Sequence, residues 1–270
     1  MADAETRSLL LQRNIIFFLL IAIAAAAWAM LIWQQMSMGM AMNTPTMGMR
    51  APLFLIVWVV MMVAMMFPTA APMILTFHKV QAGKRARGGT FVSTWVFVAA
   101  YMLVWALSGV LAYAGAVAAE AMAAQVKLSG AAAARFGGVV LIIAGAYQLS
   151  SLKNVCLTKC RTPITFILTS WRDGTMGALR MGLEHGFFCL GCCWLLFLVL
   201  FPLGIMNIAA MALVTVLVYA EKELAAGERI AKWAGIALIA YGATALVFPQ
   251  TLPTFSATGS MGMNLSLIHI

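Results

Sequence analysis

The chain has 270 residues, of which 64% are hydrophobic and 9% are charged. Soluble domains carry about 25% charged residues, so this composition excludes a soluble globular protein and predicts a membrane protein whose main partner is the lipid bilayer. The formal net charge of +9 does not indicate a nucleic-acid partner, because no aromatic and basic motif accompanies it.

Seven apolar stretches predict an all-α fold, a polytopic membrane helical bundle of about seven transmembrane helices in a single domain over residues 1–264. The first stretch, Asn14–Trp33, contains no charged residue and is long enough to cross a hydrocarbon core of about 30 Å. We interpret it as a retained anchor and not as a cleaved signal peptide, because apolar residues continue to its end. The other stretches lie near residues 52–76, 90–119, 136–151, 177–201, 204–220 and 232–249.

The basic residues fall mainly on one side of these predicted helices. Of the 17 Lys and Arg residues, only Arg50, Lys127 and Arg135 lie in the opposite set of connections. This asymmetry follows the positive-inside rule and predicts a cytoplasmic amino terminus in a bacterial inner (cytoplasmic) membrane. The mixed charges of EKELAAGERIAK (221–232) predict a solvated face on a cytoplasmic turn.

The connection after the first span is rich in methionine. Residues 36–49 contain six methionines in fourteen positions, and this loop is predicted on the outer face. Thioethers bind Cu(I) without losing a proton, so they remain ligands where thiols oxidise. We therefore predict capture of Cu(I) by this loop, with unstructured filler as the alternative. The candidate ligands are Met36, Met38, Met40 and Met42.

The second span carries a methionine face. At about 100° per residue, four of its methionines share one side of the helix with Trp58, and ordinary core packing is the alternative to a ligand role. Pro68 and Pro72 predict a break or kink just beyond, because proline lacks an N–H and leaves a carbonyl that needs another partner. The candidate thioether ligands are Met61, Met62, Met65 and Met66.

Two cysteines lie in the longest cytoplasmic connection, residues 151–175. Cys156 and Cys160 form a C-x-x-x-C pair, which is a weak signal alone because the common zinc sites require a second pair. Cys189 and Cys192 supply a candidate second pair, and two ordinary thiols are the alternative. A structural disulfide is not expected on the reducing cytoplasmic side.

The segment HGFFCLGCCW (185–194) places one histidine and three cysteines in an apolar helix. On a helical wheel His185, Cys189, Cys192 and Cys193 fall within about 100°, with Cys193 at the edge. Thiolates and imidazole suit Cu(I), zinc or iron, so we predict a metal or redox site. The alternative is that these cysteines pack as small hydrophobes. Glycines in the fourth and fifth spans predict close approaches between helices.

The last six residues, LSLIHI (265–270), match the translation of CTG TCT CTT ATA CAC ATC, a transposon-end adapter used in sequencing libraries. We expect this segment to be an adapter-derived artefact and His269 to have no role. The native sequence is expected to end near Asn264.

Four motifs occur in a characteristic order: MMVAMMFPTAAP (61–72), CLTKCRTP (156–163), WRDG (171–174) and GALRMGLEHGFFCLGCCW (177–194). On these motifs the chain resembles, from about residue 52 to 245, a family of predicted metal-binding integral membrane proteins of unknown function. The resemblance implies a bound metal and no particular reaction. The methionine-rich loop is not part of the family pattern, so the preference for copper over zinc or iron rests on the soft ligands alone.

Three functional hypotheses follow from these observations. The first is copper handling, in which the protein captures, transfers or delivers Cu(I), with a metallochaperone or a membrane complex as partner. The second is a membrane metal-dependent or thiol-dependent oxidoreductase, or its assembly factor. The third is a structural subunit of a larger membrane complex. The sequence assigns no catalytic residue and leaves open whether the protein is an enzyme.

Overall fold

The computed structural model describes residues 2–38, 45–46, 48–126 and 129–253, without the side chains of residues 2–9 and 38. These residues form α-helices and no β-strand, which confirms the predicted all-α fold. A single 3₁₀ turn, Pro249–Thr251, follows the last helix. The helices are α1 Ala2–Met38, α2 Ala51–Ala86, α3 Thr94–Val126, α4 Gly130–Gln148, α5 Ser151–Arg161, α6 Pro163–Ser170, α7 Gly174–Leu198, α8 Leu200–Leu203, α9 Ile208–Glu223 and α10 Gly227–Val247.

Six helical segments in the described part of the chain are long and apolar enough to cross a membrane. They are α1 from Leu10, α2, α3, α4, α7 continued by α8, and α10. The seventh predicted span, 204–220, corresponds to α9, which has 16 residues. At 1.5 Å per residue α9 is about 24 Å long, shorter than a hydrocarbon core of about 30 Å. In the part of the chain that the structure describes, six helices in place of the seven predicted are therefore long and apolar enough to span a membrane.

The chain divides into two compact units that share several helices. The first unit contains Met1–Trp33, Leu55–Val110 and Asn154–Cys192, and the second contains Gln34–Phe54, Leu111–Lys153 and Cys193–Ile270. The single domain over residues 1–264 stays a prediction. The predicted artefact at 265–270 lies outside the described residues.

In the second unit, α4 packs against α10 through glycines. A Cβ atom at position 138 would lie 2.9 Å from the carbonyl oxygen of Gly242, and one at position 145 would lie 2.6 Å from that of Gly235. Real Cβ atoms do not approach so closely, so only glycine permits this contact. The close approach predicted for the fourth span is confirmed.

In the first unit, α2 runs without a break through Pro68 and Pro72. The predicted break does not occur, and the surrounding structure supplies a partner for one exposed carbonyl. Pro68 has no N–H to donate to the carbonyl of Ala64, one helical turn earlier. The indole Nε1 of Trp28, on α1, donates to that oxygen at 3.0 Å. The predicted need for an outside partner is therefore confirmed at Pro68.

Candidate metal centre

Two glycines bring α7 close to α3 in the first unit. A Cβ atom at position 182 would lie 2.5 Å from the carbonyl oxygen of Phe97, and one at position 186 would lie 2.8 Å from Cγ2 of Val104. The contact confirms the close approach predicted for the fifth span. As a result, the aromatic side chains of α3 reach the histidine and cysteines of α7.

The imidazole of His185 is enclosed by aromatic rings. It stacks on Tyr101 at 5.6 Å between ring centroids and on Phe97 at 6.0 Å. Phe166, from α6, meets it edge-on at 5.5 Å. His185 is 3% exposed, so the ring is fixed by packing in a site from which bulk water is excluded.

One helical turn further along α7, Cys189 is fully buried. Its Sγ lies 3.1 Å from the hydroxyl oxygen of Tyr101, within hydrogen-bonding distance. Tyr101 is also fully buried. A single side chain of α3 therefore contacts both the imidazole of His185 and the thiol of Cys189.

The next cysteine of the helix, Cys192, lies beside a cysteine of α5. Its Sγ is 4.0 Å from Sγ of Cys160, and both residues are buried. The Cys192 thiol also donates to the carbonyl oxygen of Cys189 at 3.1 Å. Helical spacing on α7 alone does not predict this contact, because it depends on how α5 lies against α7.

Cys156 reaches the same part of α7 because residue 191 is glycine. A Cβ atom at Gly191 would lie 2.8 Å from Sγ of Cys156. Burial raises the pKa of the Cys156 thiol, and the nearby Cys192 raises it further. The C-x-x-x-C pair of α5 therefore lies next to Cys192, the second member of the predicted second pair.

Within the described ranges, no three His, Cys, Asp or Glu side chains are placed to hold one metal ion. The candidate ligands instead follow one another along α7. Cys156 and Cys160 of α5 lie beside Cys192. Tyr101 of α3 lies beside Cys189 and His185. Cys193 is buried and belongs to the second unit.

The methionines divide into a buried set and an outer set. The four on α2, Met61, Met62, Met65 and Met66, are fully buried. Trp58, on the same face, donates from Nε1 to the carbonyl oxygen of Trp105 on α3 at 3.1 Å. Burial alone fits a packing role as well as a ligand role, so their metal binding stays a prediction.

The methionine-rich loop begins later than predicted, because residues 36–38 belong to α1. Met36 is 80% exposed on that helix. The side chain of Met38 is not described, and Met40 and Met42 lie outside the described residues. At the far end of the loop, the backbone N–H and the hydroxyl of Thr46 donate to the Glu120 carboxylate, both at 2.8 Å.

The predicted solvated face at 221–232 is wrong for its first two residues. Glu221 and Lys222 are buried, and the Glu221 carboxylate accepts from Nζ of Lys153 at 2.6 Å. Gln148 donates to the other carboxylate oxygen at 2.7 Å, and Lys153 also donates to Gln148. Burial is tolerated because these charges and dipoles satisfy one another. The later charges of the segment, such as Arg229, are exposed as predicted.

The sequence model of one family, described as PpoB2 copper chaperone, matches residues 55–245. The matched range contains α7, α5 and the four methionines of α2, and it ends close to where the resemblance seen in the sequence ends. The methionine-rich loop lies before it. Neither curated proteins nor solved structures give a significant match. The match covers more than half of the chain, which therefore belongs to the PpoB2 copper chaperone family.

Proposed function

We propose that this protein is a copper chaperone of the bacterial inner membrane that holds Cu(I) between α5 and α7 and passes it to a protein partner. The observation that carries the proposal is the 4.0 Å separation of the Cys160 and Cys192 sulfurs. Family membership supports copper as the cargo. The two sulfurs supply the chemistry that such a cargo requires.

The separation of the two sulfurs suits a bridging metal ion. Metal–thiolate bonds are about 2.3 Å long, so two of them in a line span about 4.6 Å and a bent arrangement spans less. Soft thiolates select Cu(I) over harder metals. Binding through two sulfurs leaves room for a third ligand to attack, and a chaperone needs such an opening to release its cargo. A ligand of the protein partner would enter there, and Cys156, one turn before Cys160 on α5, adds a further thiol near the pair.

The methionines fit a supply role for the same cargo. Thioethers bind Cu(I) without deprotonation, so the methionine-rich segment at 36–49 is suited to collect it outside the cytoplasm. The buried methionine face of α2 would receive it next, before the thiol pair of α5 and α7. This order gives inward transfer, and the acceptor is a metallochaperone or a membrane complex.

The test is Cu(I) binding by purified protein in detergent, measured by competition with a chromogenic Cu(I) chelator. We expect wild type to bind Cu(I), and Cys160→Ser and Cys192→Ser each to lose most of it. Cys193→Ser is the matched control, because this buried cysteine is the direct neighbour of Cys192 and sits at the edge of the ligand face. It should keep wild-type binding. Equal binding by all three variants would remove the thiol pair from the proposal.

A further inference from the structure

We propose that Tyr101 is a positioning residue for the metal ligands of α7, holding Cys189 through its hydroxyl and His185 through its ring. This inference rests on the proposed function, because it assumes that these two residues bind Cu(I). Tyr101 lies on α3, and its side chain is not one of the thiol, thioether or imidazole groups that the sequence indicated as ligands. The motif at 185–194 does not contain it.

The hydroxyl of Tyr101 acts on Cys189. Its oxygen lies 3.1 Å from the sulfur, in a site where both residues are fully buried. A neutral thiol is a weak hydrogen-bond acceptor, whereas a metal-bound thiolate carries negative charge and accepts a stronger, charge-assisted bond. The phenol O–H therefore favours the metal-loaded form of the site over the metal-free form.

The ring of Tyr101 acts on His185. The two planes are inclined by 25° and their centroids are 5.6 Å apart. Tyr101 is supported in turn by Trp105, one turn along α3, at 6.5 Å. An imidazole held in one plane points its nitrogen in one direction, and this orientation is what residues behind metal ligands supply.

The two contacts can be separated by substitution. Tyr101→Phe removes the hydroxyl and keeps the ring, whereas Tyr101→Leu removes both. Changes behind a metal ligand lower metal affinity by about 10-fold to 100-fold. We expect Tyr101→Phe to lower Cu(I) affinity by about 10-fold and Tyr101→Leu by more. Tyr113→Phe is the matched control on the same helix, because the Tyr113 ring packs on Phe54 at 5.2 Å, and its affinity should equal wild type.

Copper X-ray absorption provides a measurement that a purely structural role would not change. Tyr101→Phe should lose the sulfur neighbour that Cys189 supplies and keep the nitrogen neighbour of His185, and Tyr101→Leu should lose both of these. Combining Tyr101→Phe with Cys189→Ser gives a second test, in which the two single variants and the double variant are compared in Cu(I) affinity. If the hydroxyl acts through Cys189, adding Tyr101→Phe to Cys189→Ser lowers the affinity no further.

The outcomes separate this inference from the function on which it rests. Wild-type protein that binds no Cu(I) overturns the proposed function and this inference with it. Wild-type protein that binds Cu(I), together with a Tyr101→Phe variant of equal affinity and equal sulfur coordination, overturns the role of Tyr101 alone. The same holds if Tyr101→Phe and Cys189→Ser have additive effects, because the hydroxyl would then act independently of the sulfur.

Discussion

Two buried polar regions of this protein differ in the strength of the interactions that hold them. In the second unit, Lys153 and Glu221 are 0% and 2% exposed at their side chains and form an ion pair, and Gln148 bonds to both. In the first unit, the contacts of His185 and Cys189 include ring stacking on Tyr101 and a hydrogen bond between the Tyr101 hydroxyl and the Cys189 sulfur.

The difference indicates which region is suited to an incoming ligand. Strong, charged hydrogen bonds would have to be broken before the Lys153–Glu221 network could accept anything else, and breaking them is costly inside a membrane. Ring contacts and hydrogen bonds to a thiol are weak, so they need not be broken before a soft metal binds the sulfur and the imidazole. Burial of polar groups alone therefore does not identify the site, whereas the chemistry of their partners does.

The largest effect is expected from breaking the charged network. Glu221→Gln leaves Lys153 buried without its carboxylate, and losing one partner of a buried ion pair costs about 3–5 kcal/mol of unfolding free energy. Thermal unfolding in detergent should show a large loss of stability, while the folded protein should bind Cu(I) as wild type does. Replacing both partners, Lys153→Met with Glu221→Leu, should recover much of the loss. A folded Glu221→Gln protein with weakened Cu(I) binding would contradict the distinction between the two regions, because the charged network would then belong to the metal site.

An intermediate effect is expected from the glycine contacts, which allow the packing of the metal site to be compared with packing elsewhere. Adding a methyl group at Gly182 or Gly145 overpacks a helix contact, which costs about 1–3 kcal/mol. We expect Gly182→Ala to lower both stability and Cu(I) affinity, because it moves α7 from α3. Gly145→Ala should lower stability alone.

The matched control for both glycine variants is Gly115→Ala on α3. A Cβ atom there has nothing within 4 Å, so alanine should be neutral or slightly stabilising because it favours the helix. Stability is read from thermal unfolding and affinity from chelator competition. If Gly145→Ala weakened Cu(I) binding as much as Gly182→Ala did, the loss of affinity would not be due to the packing of α7 on α3.

The smallest effect is expected from the ion pair of Lys84 and Asp173, in which the Asp173 side chain is exposed. Hydrogen bonds from Lys84, and then from Trp171, hold the pKa of Asp173 below its usual range. The stabilising contribution of this carboxylate is therefore complete above the ordinary pKa of about 3.9 and is lost as pH falls through the lowered value. Asp173→Asn should melt slightly below wild type near neutral pH, and the two melting curves should converge in acid. A difference that grows in acid would contradict this sign.

Much of this arrangement was predictable from local patterns in the sequence. Long apolar stretches predicted the helices, and glycines predicted the close contacts of α4 and α7. The proline in α2 predicted that a carbonyl would require another partner. Each of these inferences depends on residues within one helix or on the properties of one residue type, so one sequence is sufficient to make it.

The remaining features depend on contacts between distant segments. The cysteines of α5 and α7 were candidates for one site, but the Cys160–Cys192 contact itself requires the register of α5 against α7, which helical periodicity does not contain. Glu221 follows an apolar run, and its burial depends on Lys153, which the charge pattern assigned to a basic cytoplasmic connection. Tyr101 was missed because one tyrosine in an apolar helix resembles ordinary core. Its spacing of four residues from Trp105 was the available signal.

The hydrogen bond from Trp28 to Ala64 has a consequence for how the chain enters the membrane. A ribosome synthesises α1 before α2, so the indole donor is already present when the segment with Pro68 arrives. Alone in lipid, α2 would carry an open carbonyl at a cost of several kcal/mol. With α1 beside it, that cost is removed at once, and the two helices are favoured to insert as a hairpin. The order of synthesis thus delivers the donor before the acceptor that needs it.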